Sequence, residues 1–206
     1  RDSLALLDHG WVQAYAQDNQ EALDLALMAY AVAEDPAVLT PFMVNLDGFA
    51  LTHTYETVDV PAEEDADAFL PPYQATNCFD FEHPKNIGYS AGPDYNRYFK
   101  YYEHRDMLGA FEAIDRVEAR FAECFGRAYT GPVEAVSCDD AEAVLVTLGS
   151  IAGLARESVA RLREQGKRVG LLRIRYMRPF PAKLIAEALA GAAAVGVLEK
   201  DISFGA

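Results

Sequence analysis

The sequence has few cysteines, and their spacing matches no common metal site. The three of them, Cys78, Cys124 and Cys138, lie far apart and form no CxxC pair. A conventional four-cysteine zinc or iron–sulfur site therefore cannot be built from this chain alone. We expect ordinary buried thiols, which fit the reducing conditions of the cytoplasm.

Positive charge and long apolar runs are also scarce, and both absences limit the partners. The chain carries 18 Lys and Arg against 32 Asp and Glu, which gives a formal net charge of −14. Nucleic-acid phosphates attract clustered basic residues, so no nucleic-acid partner is expected. No apolar run approaches the roughly 18 residues that cross a bilayer, so no membrane partner is expected either.

Both ends of the sequence have the character of cut ends. The chain starts at Arg1 without an initiator Met or a signal peptide, and it stops after a short apolar stretch at residues 202–206. We therefore expect a fragment of a longer subunit. With 206 residues, 51% of them hydrophobic, it is large enough to bury one good core or two small ones.

The central pattern is an apolar run over residues 38–46 that stops at Asp47-Gly48. Such a run is typical of a strand that is buried on both faces of a parallel sheet and ended by a tight turn. The residues that follow would then lie at the carboxyl end of a strand, where open α/β sheets bind ligands. The polar candidates in this loop are Thr52, His53, Thr54 and Glu56.

The first half also predicts two helices and an arm between them. Asp18-Asn19, with Glu21 in capping-box spacing, predicts a helix that ends near Ala33. Recurrent prolines and aromatic residues over 61–93 predict an ordered, extended arm that lays its rings on another domain or subunit. A helix capped by Asp94 or Asn96 should cover residues 97–125. Its predicted packing face holds Met107, Phe111, Ile114, Val117, Phe121 and Cys124, and its predicted solvent face holds Glu112, Asp115, Arg116, Glu118 and Arg120.

The last third predicts a doubly wound sheet. Apolar strands at 143–148, 169–174 and 193–198 alternate with helices at 151–164 and 181–189. The strand-to-helix turn at Gly149-Ser150 could receive an anion on its free backbone N–H groups. It is neither a GxGxxG motif nor a P-loop, so it does not indicate a nucleotide site.

Several longer segments carry a more specific signal through their order and spacing. The segments are GWVQAYAQDNQEALDLALMAYAVAED, PFMVNLDGFALTHTYETVDVP, FLPPY, FGRAY, AVLVTLGSIAG, VGLLRIRYMRPFP and LEKDISFGA. In this arrangement they closely resemble, over essentially the whole chain, the alpha subunit of the pyruvate (2-oxoacid):ferredoxin oxidoreductases.

The resemblance implies an α/β fold in three parts. Residues 1–60 would be the closing part of a thiamine-type parallel-sheet domain, which embraces the aminopyrimidine ring of thiamine diphosphate. Residues 61–137 would be the connecting arm and the long amphipathic helix. Residues 138–206 would begin a doubly wound domain similar to the carboxyl-terminal domain of transketolase.

The resemblance also implies an activity, cofactors and partners. Such enzymes decarboxylate a 2-oxoacid, most often pyruvate, on thiamine diphosphate, pass electrons through [4Fe–4S] clusters to ferredoxin and form acyl-coenzyme A, or run the reverse synthesis. Thiamine diphosphate and Mg²⁺ would be shared with a partner chain, and the clusters would lie in partner subunits. The family's catalytic glutamate lies upstream of Arg1, so neither a catalytic residue nor a metal ligand is expected in this chain.

One departure from the family pattern concerns the substrate. The family usually has an arginine before the Gly-aromatic pair, here Gly10-Trp11, and that arginine holds the substrate carboxylate by paired hydrogen bonds. Leu7 stands at this position. Either Arg1 or a partner residue replaces the arginine, or His9 takes a polar role, or the substrate differs from pyruvate. The predicted substrate-binding residues are Arg1, Asp8, His9 and Gly10, and His53 and Thr52 are candidates for a domain contact at the cofactor.

Two alternatives to the oxidoreductase stay open at this point. The first is a thiamine-dependent decarboxylase or transketolase-like protein that does not reduce ferredoxin. The second is an acidic, non-catalytic interaction module with a degenerate site, which Leu7 would permit.

Overall fold

The computed structural model describes residues 2–75, 77–88 and 90–200 of the chain. They form two sheets, one of three strands and one of four, with helices packed around both. Arg1 and the apolar stretch 202–206, on which two of the predictions rest, lie outside the described residues. Within the described part, none of the helices combines the length and the apolar character of a bilayer span.

The three-stranded sheet is built around β1 (Val12–Tyr15), whose four residues are all buried. β2 (Phe42–Asn45) pairs with it in parallel, and β6 (Tyr176–Arg178) pairs with it in the antiparallel sense on the other side. The sheet therefore joins strands from the beginning and from the last third of the chain, and its central strand lies in the largest of the three hydrophobic clusters of the described residues.

Helix α1 (Asn19–Ala33) confirms the predicted helix, whereas the strand after it is shorter than predicted. The Asp18 side chain accepts a hydrogen bond from the Glu21 backbone N–H at 2.8 Å, which caps the helix as expected. The buried strand expected over residues 38–46 is confined to β2, and its residues are only half-buried. Leu39 has a positive φ of 42°, which turns the chain and prevents an earlier start of the strand.

The segment predicted as an extended arm, residues 61–93, contains a helix. This helix, α2 (Glu63–Phe69), begins with three acidic side chains, which are favoured at a helix N-terminus by the helix dipole. Its last residue is fully buried, with its ring centroid 5.4 Å from that of Phe121. Further along, the rings of Phe79 and Phe81 are exposed, and their contact with another domain or subunit stays a prediction.

The long helix α3 (Pro93–Phe125) starts earlier than predicted. Its N-cap is Gly92 rather than Asp94 or Asn96, because the fixed φ of proline suits the first helical position. Gly126 ends the helix with a left-handed φ of 70°, a conformation that glycine adopts without a steric penalty.

One acidic residue of α3 lies on the opposite face from the one predicted. Glu118, expected to face water, is only 5% exposed. It lies four residues after Ile114 and three before Phe121, so it shares their packing face. Its burial is tolerated because Arg175 donates a hydrogen bond to its carboxylate at 2.6 Å.

The prediction of buried thiols is correct for only one of the three cysteines. Cys138 is buried, but Cys78 and Cys124 are exposed. Cys78 belongs to the exposed arm. Cys124, in the last turn of α3, faces solvent and does not belong to the packing face on which it was predicted.

The four-stranded sheet contains the strands that the sequence predicts, with one addition. β4 (Ala143–Leu148) lies between β5 (Val169–Ile174) and β7 (Ala194–Val197), and all three run parallel. β3 (Val133–Val136), which was not predicted, pairs with β5 in the antiparallel sense. Helices α4 (Ile151–Glu164) and α5 (Ala182–Leu189) follow β4 and β6.

The two helices of this part cover opposite faces of the sheet. Val144 and Val146 pack with Leu172 in a cluster that includes α5, whereas Leu171 packs with Ala155 of α4. Alternate strand residues thus point to opposite helical layers, as in a doubly wound α/β sheet. The predicted mixed α/β class with parallel strands is confirmed.

Two strands bear on the predicted division of the chain into 1–60, 61–137 and 138–206. β3 precedes residue 138 but pairs with β5, and β6 follows β5 but pairs with β1. The two sheets are therefore interleaved along the chain, and the three-part division stays a prediction.

Candidate functional site

The segment before β1 is held in place by side chains of that strand. The short 3₁₀ helix Leu4–Leu6 precedes it. The buried Gln13 amide donates hydrogen bonds to the carbonyl oxygens of Ser3 and Leu6, both at 3.2 Å. A further bond of 2.9 Å joins the Ser3 and Tyr15 hydroxyl groups. These contacts position the loop of residues 7–10, where the substrate-binding residues were predicted.

Pairing of β1 with β6 brings this loop to residues that are distant in sequence. Because the two strands are antiparallel, the start of β1 lies beside the end of β6, where Gln13 pairs with Arg178. The Arg178 Nε then donates a hydrogen bond of 2.7 Å to the carbonyl oxygen of Leu7.

Helix α3 approaches the same loop at Gly10, so that the loop lies between the end of β6 and this helix. This glycine has a φ of 76°, and a Cβ added there would overlap the carboxylate of Glu103. Glycine adopts this left-handed backbone without a steric penalty, and the neighbouring Glu103 carboxylate lies at the end of a flexible side chain. The same Glu103 carboxylate accepts a hydrogen bond from Lys100 at 2.6 Å, which neutralises its charge.

Together the three segments enclose a cleft with a volume of about 340 Å³. Charged and polar groups line it alongside apolar side chains, so it could hold a small molecule with one anionic and one apolar end. The lining residues are Leu7, Asp8, Gly10, Lys100, Glu103, His104, Met107, Leu108, Arg178, Pro179 and Phe180.

The predicted substrate residues are partly brought together here. Asp8 and Gly10 line the cleft, while His9 is exposed with its Nδ1 atom 3.1 Å from an Asp8 carboxylate oxygen. Arg1 lies outside the described residues. A substrate role for any of them stays a prediction.

Sequence reasoning did not assign a site role to the residues that α3 and β6 contribute. Lys100, His104 and Met107 line the cleft from α3, and Arg178 and Phe180 line it from the end of β6. The signal that could have pointed to them is the RYMRPFP segment, in which a basic residue precedes a proline at the end of a strand.

The other predicted candidates lie in the loop after β2, where they contact that loop or the start of α1. The Thr52 hydroxyl is 2.8 Å from His53 Nδ1, and the His53 ring stacks on Phe49 with centroids 4.6 Å apart. Glu56 accepts a hydrogen bond of 3.0 Å from the Asn19 backbone N–H, at the start of α1. The domain-contact role of His53 and Thr52 stays a prediction.

The Gly149-Ser150 turn, predicted as an anion site, receives a carboxylate from the same chain. Asp47 accepts hydrogen bonds from the Ser150 backbone N–H at 2.9 Å and from its hydroxyl group. The Lys200 ammonium group lies 3.1 Å from the same carboxylate and 2.9 Å from the Ser150 hydroxyl. This cluster joins the loop after β2 to the start of α4, so it links the two sheets at their carboxyl-end loops.

Acid is expected to weaken this link. Burial alone would raise the pKa of Asp47, but the hydrogen bonds from Ser150 and Lys200 outweigh it and hold that pKa below the usual range. The Asp47 contribution to stability should therefore be constant above about pH 4 and disappear as the pH falls through the depressed pKa. We expect the unfolding midpoints in urea of the wild type and Asp47→Ala to differ at neutral pH and to converge in acid. Asp67→Ala, an exposed change on α2, should show no such convergence.

A buried network of charges forms a second link between the sheets. Glu21 of α1 is 1% exposed and pairs with both Arg173 and Arg175, whose Nε lies 2.8 Å from a Glu21 carboxylate oxygen. Burial alone would lower the pKa of Arg175, but the carboxylates of Glu118 and Glu21 raise it, so the guanidinium group stays charged. Arg173 also approaches Glu134, which pairs with Arg156 at 2.8 Å.

The described residues do not form a complete site for thiamine diphosphate. Within 2–75, 77–88 and 90–200, no three His, Cys, Asp or Glu side chains converge as ligands of a metal ion would. The carboxylate of Asp47, at the start of α4, is already bound by Ser150 and Lys200. These residues therefore do not fit the diphosphate and its Mg²⁺ on their own.

Comparisons with known proteins relate both parts of the chain to one family. Residues 1–119 match the family model of the thiamine diphosphate-binding domain of pyruvate flavodoxin/ferredoxin oxidoreductase, and residues 141–206 match core domain II of pyruvate:ferredoxin oxidoreductase. The chain is 46% identical to pyruvate synthase subunit PorA of Methanothermobacter thermautotrophicus, over 99% of this chain and 53% of that protein. It is 40% identical to ketoisovalerate oxidoreductase subunit VorA of Pyrococcus abyssi, over 99% of this chain and 51% of that protein.

A solved structure supports the fold. The 2-oxoglutarate:ferredoxin oxidoreductase from Magnetococcus marinus, with 2-oxoglutarate, coenzyme A and succinyl-CoA bound, superposes with a TM-score of 0.62 at 16% identity. The match covers 98% of this chain and 38% of that one. The chain spans about half the length of the curated relatives it matches. It belongs to the family of the pyruvate flavodoxin/ferredoxin oxidoreductases.

Proposed function

We propose that this chain is part of a thiamine-dependent 2-oxoacid:ferredoxin oxidoreductase, with pyruvate as the first substrate to test. The observation that carries the proposal is the match of both family domains, in order, along a single chain. The relatives named for pyruvate and for ketoisovalerate support a 2-oxoacid substrate.

The proposed reaction is the oxidative decarboxylation of the 2-oxoacid. The 2-oxoacid loses its carboxylate as CO₂, its carbonyl carbon is oxidised by two electrons, and the resulting acyl group bonds to the sulfur of coenzyme A, whose thiol proton is released. The two electrons pass one at a time to two molecules of ferredoxin. The reverse sequence would make the 2-oxoacid from acyl-CoA and CO₂.

The cofactors are assigned to the assembly rather than to this chain alone. Thiamine diphosphate and Mg²⁺ would be shared with a partner chain, since the described residues form no metal site of their own. The [4Fe–4S] clusters would lie in partner subunits, because the two cysteines outside the core, Cys78 and Cys124, are too few for a cluster. We place the assembly in the cytoplasm, in contact with its other subunits and ferredoxin.

Within this proposal the cleft at residues 7–10 is the part of the 2-oxoacid site that the chain supplies. Its support is the convergence of Asp8, Gly10 and Arg178 on one space of about 340 Å³. Asp8, His9 and Gly10, together with Arg1, are the proposed substrate contacts. Their role is to orient the substrate, and no catalytic step is placed on this chain.

The test is to purify the native assembly and to measure three properties together. These are its thiamine content, its absorbance in the iron–sulfur band, and its reduction of ferredoxin with pyruvate and coenzyme A. A coloured, thiamine-containing assembly that reduces ferredoxin only with both substrates present would support the proposal. The same assembly with thiamine but without clusters would favour a decarboxylase. An assembly without thiamine would favour a non-catalytic module. Leu7, which stands where the family usually has a substrate-binding arginine, would be consistent with that alternative.

A further inference from the structure

We propose that Arg178 binds the substrate carboxylate in the cleft and that the apolar side chains opposite it receive an aliphatic substrate side chain. This inference rests on the proposed function for the identity of the ligand as a 2-oxoacid. Its basis is the arrangement of charge and apolar surface around the cleft.

The guanidinium group of Arg178 is held in place by one hydrogen bond, and its remaining N–H donors are available to a ligand. Its Nε donates to the Leu7 carbonyl at 2.7 Å, which fixes the plane of the group. Among the described residues, neither of its terminal nitrogens makes a hydrogen bond or an ion pair. A fixed guanidinium whose two terminal nitrogens are free matches the geometry of a carboxylate, which these nitrogens can bind through two parallel hydrogen bonds.

The other basic side chain of the cleft with a permanent charge is already paired. Lys100 lies 2.6 Å from Glu103, while the exposed Asp8 lies 3.1 Å from His9 Nδ1. These pairs leave Arg178 as the cation of the lining without a carboxylate partner among the described residues. An anionic ligand would therefore gain the most by binding at Arg178.

The rest of the lining favours an aliphatic group over a second charge. Leu7, Met107, Leu108 and Phe180 line the same cleft, and Met107 is buried. A methyl group would fill only a small part of about 340 Å³, whereas a branched side chain could contact several of these residues. A second carboxylate would meet an apolar wall and lose its hydration without gaining a partner.

The experiment uses the purified assembly with substitutions at Arg178. Equilibrium binding is measured by calorimetric titration with sodium oxamate, an unreactive 2-oxoacid analogue, and turnover is measured as ferredoxin reduction. Arg178→Ala should weaken oxamate binding and raise the KM for the 2-oxoacid by about 10- to 100-fold, the range expected for lost hydrogen bonds to a charged group. The KM for coenzyme A and the thiamine content should not change.

Two further variants separate ligand binding from support of the fold. Arg178→Gln retains an N–H donor for the Leu7 carbonyl but has no charge, so it should fold normally and still lose oxamate binding. Leu7→Arg combined with Arg178→Ala returns a guanidinium group to the same cleft, so it should recover much of the lost affinity. A purely structural role of Arg178 would not be rescued from position 7. The matched control is Arg161→Ala, an exposed arginine of α4 that pairs with Glu157 at 2.8 Å.

Substrate preference provides the second readout. The wild type should favour 3-methyl-2-oxobutanoate over 2-oxoglutarate in kcat/KM by at least roughly 10-fold, since a charged end is rejected by the apolar wall. Unchanged oxamate affinity and KM in both single variants at position 178, or preference for the dicarboxylate, would overturn the inference. If oxamate binding depends on Arg178 but no 2-oxoacid reduces ferredoxin, the proposed function fails while the assigned carboxylate site stands.

Discussion

Replacing Glu21 with alanine is expected to destabilise the protein by about 3–5 kcal/mol, the range for breaking a buried ion pair. Its carboxylate pairs with Arg173 and Arg175, which are both 1% exposed, and it also accepts a hydrogen bond from the Gln17 backbone N–H at 2.8 Å. Removal of the carboxylate would leave two buried guanidinium groups whose positive charge is only partly neutralised by the remaining carboxylates. The measurement is the midpoint of urea unfolding for the wild type and the variant.

An exposed ion pair of similar composition provides the control. Glu157 pairs with Arg161 on the surface of α4 at 2.8 Å, and both side chains are more than half exposed. Glu157→Ala should change stability by less than about 1 kcal/mol, because exposed pairs contribute little. Equal effects of the two substitutions would mean that burial does not control the strength of the Glu21 network.

Replacing Phe121 with alanine should have an effect of similar size through a different cause. Phe121 is fully buried on α3, and its ring contacts Phe125 at 4.6 Å and Tyr129 at 6.1 Å between centroids. Truncation would remove the contact with Phe69 as well and leave a cavity between α2 and α3. A loss of about 3–5 kcal/mol is expected for such a change, measured by the same unfolding experiment.

The exposed arm contains a phenylalanine that serves as the control for Phe121. Phe79 is 82% exposed, so Phe79→Ala should leave the unfolding midpoint of the chain nearly unchanged. A large destabilisation by Phe79→Ala, or a small one by Phe121→Ala, would contradict the assignment of the core to the junction of α2 and α3.

The parts of the fold that could be predicted are those with long local patterns. Strand β4, helix α4 and strand β5 match the predicted bounds, because each has an apolar run or a helical period that depends on its own residues. Strands β1, β3 and β6 have four residues or fewer and each includes a polar or charged residue, so they lack the apolar run that marks the equally short β2 and β7. Their pairing is decided by distant partners.

The candidate site was predictable only in part for the same reason. The loop at Asp8 and Gly10 could be found from its resemblance to the family, as could the unusual Leu7. Arg178 could not, since it reaches the loop only through the antiparallel pairing of β1 and β6. The position of Glu118 likewise depends on Arg175, which lies far from it in sequence.

Arg175 also determines how the molecule can move. It is the only residue between β5 and β6, and its backbone N–H bonds to Pro132 beside one sheet while its carbonyl oxygen accepts from Tyr15 in the other. A hinge needs several residues that can change φ and ψ, and this crossing provides a single residue that is fixed at both ends. The crossing therefore offers no hinge between the two sheets, and the parts of the cleft that it does not fix are the loop at residues 7–10, residues 179–180 and the solvent-exposed first turns of α3.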